Sequence, residues 1–77
     1  MNLDLFKAFR AVMEAGTITA AGDLLGRSQP AVSRMLDRLE YELGLRLFER
    51  RKGRIIPTAE AHLLLDEVDQ AFGSLAL

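Results

Sequence analysis

The sequence predicts a small, mainly α-helical fold in which three helices precede a short β-hairpin and a longer helix follows it. Three observations predict this class. Apolar residues recur at helical spacing, glycines separate the helical stretches, and the one strand-like region is interrupted by a basic turn at 51–53. The 77 residues suit one small domain. A chain this short has little stability to spare, so a dimer interface would help it.

The first helix is expected from Leu3 to about Met13, because Phe6, Phe9 and Val12 fall on one face at helical spacing. The glycine that follows, Gly16, can take the left-handed conformation that ends many helices.

Two capped helices are expected next. Thr19 is predicted to cap a short helix, Ala20 to Leu25, which Gly26 ends. Ser28 is predicted to cap a longer helix, Gln29 to Leu43, with a proline in its first turn, where a missing N–H costs nothing. The predicted core of the first three helices consists of Phe6, Phe9, Leu24, Val32, Leu36 and Leu39.

The hairpin is expected to pair residues 47–50 with residues 54–56 through the basic turn. Pro57 is predicted to break the second strand. Thr58 is predicted to cap the last helix, Ala59 to about Leu77.

Charge is distributed unevenly along the chain, although the net charge is only −1. Residues 1–26 carry two basic and three acidic side chains, residues 27–54 carry eight basic and four acidic ones, and residues 55–77 carry four acidic and no basic ones. A basic middle between acidic flanks would attract a polyanion locally.

Several function classes find no support. The chain has no cysteine, so disulfides and cysteine-based zinc sites are excluded, and the lone His62 has no second histidine to share a metal. No nucleophile with a base is visible, which argues against an enzyme, and no cofactor is expected. The longest aliphatic run, Leu63–Leu65, is far too short to span a membrane. No secretory signal is visible, so a cytoplasmic location is expected.

The segment from Thr19 to Arg34 has the order helix, glycine turn, capped helix, which is the helix-turn-helix pattern. In that motif the second helix enters the major groove of DNA. Arg34 could bond guanine and Gln29 adenine bidentately, while Ser33 could bond a base edge or a phosphate. The candidate DNA-contacting residues here are Arg27, Ser28, Gln29, Pro30, Ser33, Arg34 and Arg38. The alternative is a solvated face of an amphipathic helix, which the capped turn and following hairpin disfavour.

The basic turn of the hairpin carries Arg50, Arg51, Lys52 and Arg54 around Gly53. Such a turn between two strands could be a wing that lies on phosphates or enters the minor groove. It could equally be an edge hairpin that charge protects from aggregation. Taken alone, the pattern does not separate the two interpretations.

The last helix carries an apolar seam in steps of four and three residues: Ala61, Leu65, Val68, Phe72 and Leu75. This spacing of about 3.5 residues is that of a two-helix coiled coil, and it favours a homodimer. The alternative is a helix that packs on its own domain.

Together these motifs resemble the N-terminal domain of LysR-type transcriptional regulators. The resemblance rests on Ser28–Arg34, Leu39-Glu40, Glu42–Gly44, Leu47–Arg50 and Pro57-Thr58, and it covers nearly the whole chain. It implies a winged helix-turn-helix over 1–58 and a linker helix over 59–77 that pairs two subunits.

The resemblance also implies a protein longer than this chain. In the family an effector domain follows the linker helix, is absent here, and binds a small co-inducer in what is usually a tetramer. Two departures are visible: Arg27 replaces an apolar residue of the turn, and the start of the last helix, 58–62, differs from the usual Thr-Glu-Ala-Gly. The blocks at 9–13 and 55–58 resemble members that control amino-acid or opine metabolism.

A different class of function remains to be weighed against DNA binding. A winged helix could serve as a protein-interaction module through its seam and its acidic last helix. Strong loss of DNA affinity with added salt would favour DNA binding, whereas indifference to DNA with a tight protein partner would favour the module.

Overall fold

The computed structural model describes the backbone of residues 2–76 and the side-chain surroundings of residues 2–73, and it confirms the predicted fold class. Four helices and one antiparallel hairpin follow in the expected order. The elements are α1 (Leu3–Ala15), α2 (Ile18–Leu25), α3 (Gln29–Leu43), β1 (Phe48–Arg51), β2 (Arg54–Pro57) and α4 (Ala59–Ala76). No helix in the described part of the chain is both long and apolar enough to cross a membrane.

The helix ends lie at the glycines that the sequence indicates. Gly16, Gly26 and Gly44 all adopt left-handed φ values, of 85°, 67° and 68°, and each donates its N–H back to the preceding helical turn. The Ser28 hydroxyl accepts from the N–H of Ala31 at 3.2 Å, which confirms Ser28 as the cap of α3.

The predicted start of α2 is wrong by two residues. Thr17, not Thr19, is extended (φ −138°, ψ 155°), and its hydroxyl accepts from the N–H of Ala20 at 3.0 Å. Both threonines have the chemistry of a cap, but Thr17 follows the left-handed Gly16 directly, so α2 begins at Ile18 and Thr19 lies within its first turn.

The core lies where α1 and α3 cross and is closed by the start of the hairpin. The largest fully buried side chains are Phe9, Val12, Val32, Leu36, Leu39 and Leu47. The rings of Phe9 and Phe48 are tilted with centroids 5.9 Å apart, which links α1 to β1. Two core predictions need correction, because Leu24 is 64% exposed and Phe6 is only half-buried.

The hairpin is attached to α3 by a half-buried carboxylate. Glu40 accepts hydrogen bonds from the backbone N–H groups of Leu47 at 2.6 Å and Phe48 at 3.1 Å. Thr58 completes the attachment, because its hydroxyl donates to the carbonyl of Arg46 at 2.7 Å and also accepts from the N–H of Ala61 at 3.2 Å. One side chain therefore caps α4 as predicted and holds the entry to β1.

The strands pair with Phe48 opposite Pro57 and Arg51 opposite Arg54. The first strand therefore begins and ends one residue later than predicted, and Pro57 is the last residue of β2 rather than the first one after it. Lys52 (φ 50°) and Gly53 (φ 75°) form the two-residue turn. Positive φ at both positions matches the twist of the flanking strands and suits glycine in particular.

The last helix packs along α1. Ala61 and Val68 are buried in this helix, which also contacts β2, and two exposed contacts with α1 follow toward the end of α4. Arg10 Nε donates to Asp69 at 2.9 Å, and the Arg10 guanidinium lies 5.2 Å from the centre of the Phe72 ring.

Candidate nucleic-acid interface

The first two turns of α3 present a polar face to solvent. Val32 and Leu36 are fully buried beneath it, whereas Gln29, Pro30 and Arg34 are exposed. Because an α-helix turns 100° per residue, burying one stripe leaves the opposite one facing outward. The side chains that could contact bases thus lie at the N-terminal end of α3, on a helix whose opposite face is buried in the core.

The turn between α2 and α3 depends on a close backbone approach. The Arg27 N–H donates to the Gly22 carbonyl at 2.9 Å, and a Cβ on Gly22 would lie only 2.6 Å from the Arg27 carbonyl oxygen. The Arg27 side chain is exposed, so the replacement of an apolar turn residue leaves a cation at the surface.

The hairpin tip concentrates positive charge. Arg51 and Arg54 lie directly opposite each other, with Lys52 in the turn between them, and all three side chains are exposed. Like charges directly opposite on a hairpin are destabilising. Protection of a strand edge needs only isolated charges, so a facing pair of arginines favours a polyanionic partner over edge protection.

A groove of about 660 Å³ joins the two basic elements. Gln29 from the start of α3 lines it together with Arg50 and Arg54 from the hairpin. Its remaining wall includes residues 17–19, the start of α2, which the sequence did not single out as part of the site. The signal was present in the sequence, since a capped helix start offers free N–H groups to an anion.

Two predicted DNA-contacting arginines have partners within the chain. Arg50 donates to the Ser33 hydroxyl and to the Asp37 carboxylate, both at 2.9 Å. Arg38 donates to Glu42, one turn along α3, at 2.8 Å. The other basic candidates form no ion pair among the described residues: Arg27, Arg34, Arg51, Lys52 and Arg54.

The predicted dimerisation seam is divided by the fold. Ala61 and Val68 are already buried against the chain's own domain, whereas Leu65 and Phe72 are half-buried. The Leu75 side chain lies outside the described residues. Leu63, which the sequence did not single out, is 69% exposed. The assignment of dimerisation to this seam stays a prediction. Because the domain itself covers part of the seam, less apolar surface remains for a second copy than the sequence indicates.

Comparison with known proteins assigns the domain. The model of the family "Bacterial regulatory helix-turn-helix protein, lysR family" matches residues 3–62. The chain is 52% identical over 75 residues to the octopine catabolism/uptake operon regulatory protein OccR of Rhizobium meliloti, a match that covers 97% of this chain and 25% of that protein. It therefore spans about a quarter of this relative's length.

Solved structures agree with this assignment. The fold superposes on a BenM_DBD/catB site 1 DNA complex with a TM-score of 0.91 at 33% identity, covering 99% of this chain and 82% of that one. It superposes on a CbnR_DBD-DNA complex with a TM-score of 0.90 at 36% identity, covering 99% and 87%. With the exposed α3 and the basic hairpin, these matches show that the chain belongs to the lysR family of bacterial regulatory helix-turn-helix proteins and is the DNA-binding domain of a LysR-type transcriptional regulator.

Proposed function

We propose that this domain binds a dyad-symmetric promoter site as a homodimer, with α3 in the major groove and the hairpin as a wing. The observation that carries the proposal is the shared groove in which the exposed start of α3 faces the basic hairpin. A duplex placed against α3 would bring its phosphates to Lys52 and Arg54, because a major groove is flanked on both sides by backbone. The proposed domain limits are 1–58 for the winged helix-turn-helix and 59–77 for the linker helix.

The proposal distinguishes two classes of contact with DNA, those to bases and those to the phosphate backbone. Arg34 reads a base, since its exposed position lies near the start of the helix that enters the groove. Arg27, Ser28, Arg51, Lys52 and Arg54 contact the backbone and supply affinity that depends on salt.

Arg34→Ala is expected to cost about 1–3 kcal/mol on the best site and to relax the choice at one base pair. The matched control is Arg34→Lys, which keeps the charge but loses the planar fork that bonds guanine twice. Both variants should be titrated against a site selected from random duplexes and against random DNA. Equal weakening on both duplexes would make Arg34 a phosphate contact.

The homodimer is proposed to form through α4. Leu65 and Phe72 keep part of their surface free in the single chain, and Leu63 lies two residues from the buried Ala61, on the opposite side of the helix. A second copy of α4 on the side of Leu65 and Phe72 would cover those two side chains and leave Leu63 outside the contact.

Phe72→Ala is expected to shift the dimer toward monomer at micromolar concentration. Burying such a side chain contributes roughly 1.5–3 kcal/mol to the free energy of association, and in a two-fold symmetric dimer both chains lose this contribution. Sedimentation of variant and wild type measures the shift, and thermal melting checks that the winged domain still folds. The control is Leu63→Ala, which removes an exposed side chain from the opposite side of α4 and should leave the dimer unchanged. A wild-type domain that is monomeric at high concentration would overturn the dimer.

Further properties are proposed from the relatives. The OccR name describes regulation of octopine catabolism and uptake, which supports control of amino-acid or opine metabolism by a co-inducer bound outside this chain. A tetrameric full-length protein and a cytoplasmic location, where bacterial DNA lies, complete the proposal. Thermal shift of the full-length regulator with octopine and related amino acids tests the effector class.

A further inference from the structure

The Arg50 side chain leaves its strand and lies against the recognition helix. Its guanidinium donates one hydrogen bond to Ser33 Oγ and another to Asp37 Oδ1, both at 2.9 Å. Ser33 and Asp37 are four residues apart on α3 and so occupy neighbouring positions on one face. The ion pair stays in contact with water, because the side chains of Arg50 and Asp37 are 44% and 62% exposed.

Asp37 is an unusual residue for the surface that faces DNA. The other two carboxylates of α3 are used elsewhere: Glu40 holds the hairpin backbone, and Glu42 pairs with Arg38. Asp37 lies one turn after Arg34, and a carboxylate there repels phosphates. The contact with Arg50 gives the Asp37 carboxylate a role within the domain, which is to hold the Arg50 guanidinium against α3.

The contact has two consequences for the proposed interface. It keeps the Arg50 guanidinium on α3, although an unpaired arginine at the edge of the groove could bind a phosphate. It also occupies one lone pair of the Ser33 oxygen with an N–H donor, so the hydroxyl proton and one lone pair remain for other partners.

We propose that Asp37 is a specificity-determining residue, which holds Arg50 on the recognition helix and thereby lowers affinity for DNA of any sequence. This inference rests on the proposed DNA-binding function. Sequence choice is a difference between affinities, and it improves when a non-specific phosphate contact is withheld.

Asp37→Asn tests the proposal, because the substitution keeps the shape of the side chain and removes its charge. A released Arg50 gains one phosphate contact, which corresponds to at most about 0.9 units in the slope of log affinity against log salt. Binding of a random duplex should become up to about fivefold tighter, because the exposed ion pair that holds Arg50 is weak. The preference for a selected site over random DNA should fall. Fluorescence anisotropy with both duplexes over a range of KCl concentrations measures each quantity.

Two matched variants isolate the cause. Glu14→Gln makes the same change in net charge at an exposed position of α1 and should leave the salt slope unchanged. In an Arg50→Met background, Asp37→Asn should lose its effect on the slope, because no guanidinium remains to be released.

The outcomes separate this inference from the proposed function. If the wild-type domain binds DNA but Asp37→Asn behaves like Glu14→Gln, or keeps its full effect without Arg50, the role of Asp37 is overturned while DNA binding stands. If the wild type binds no duplex at any salt concentration, the proposed function itself fails. Thermal melting of each variant verifies that differences in binding do not come from unfolding.

Discussion

The hairpin and the last helix both bury apolar residues against the same three-helix body, but the polar contacts that accompany them differ. The hairpin is held by the buried side chains of Leu47 and Phe48 and, in addition, by the hydrogen bonds that their backbone N–H groups donate to the Glu40 carboxylate of α3. The last helix is held to α1 first by buried apolar residues and then, toward its end, by the exposed Arg10–Asp69 pair and the Phe72 ring. The hydrogen bonds to Glu40 fix the position of the hairpin relative to α3, whereas the contacts of α4 determine mainly which face of that helix lies against the domain.

This difference fits what each attachment does in the proposed complex. Base contacts require α3 and the wing to keep one relative placement, and hydrogen bonds to a charged group impose distances and angles. A helix that is to pair with a second copy needs free apolar surface. The Phe72 region of α4 provides it, because its contact with α1 is open to solvent.

Of the substitutions at the two attachments, Glu40→Ala is expected to have the larger effect on stability. The substitution leaves the N–H groups of Leu47 and Phe48 without their acceptor at a part-buried site, and loss of hydrogen bonds to a charged group costs about 3 kcal/mol. For a domain of this size, whose total stability is about 4–12 kcal/mol, that is a large fraction. Urea unfolding followed by circular dichroism measures the change.

The control for Glu40→Ala is Glu42→Ala, two residues away on the same helix. Glu42 accepts only from the exposed Arg38 side chain, so its removal should cost no more than about 0.5 kcal/mol. Equal losses for the two variants would show that the hairpin does not depend on the Glu40 carboxylate.

The sequence indicated the elements of this fold better than the contacts between them. Gly16, Gly26 and Gly44 marked the helix ends because a left-handed residue without a Cβ is a local requirement. The role of Glu40 was not anticipated, because it depends on backbone N–H groups seven and eight residues further along the chain. A charged residue beside the apolar stripe of a helix is the signal that could have suggested it.

The candidate site shows the same limit. Exposure of Gln29 and Arg34 followed from helical periodicity, since the apolar stripe fixes which face points outward. The partners of Arg50 did not follow, because they depend on how the hairpin lies across α3. The seam of α4 was ambiguous for a related reason: periodicity defines an apolar face but not which neighbour covers it, and here the chain itself covers Ala61 and Val68.

A smaller effect is expected at the other attachment. Arg10→Met keeps the length of the side chain and removes its charge, and so removes both the ion pair with Asp69 and the contact with the Phe72 ring. The side chains of the pair are 44% and 50% exposed, so the loss should be about 1 kcal/mol or less and should shrink as salt is added. Thermal unfolding at low and high salt measures it. A loss as large as that of Glu40→Ala, or one that salt does not change, would contradict the contrast between the two attachments.

The smallest effect is expected from Leu24→Ser, at a residue that the sequence assigned to the core. Leu24 is 64% exposed and lines a groove of about 230 Å³ with Arg10 and Phe72, so the single chain gains little from it. The variant should lose about 0.5 kcal/mol, whereas Leu36→Ala, at a fully buried position, should lose about 2–5 kcal/mol. Chemical unfolding under conditions where the domain is monomeric compares them. A loss of more than about 2 kcal/mol for Leu24→Ser would show that Leu24 belongs to the core as the sequence predicts.

A small loss in the monomer together with a weaker dimer in sedimentation would instead place Leu24 beside Phe72 in the proposed dimer interface.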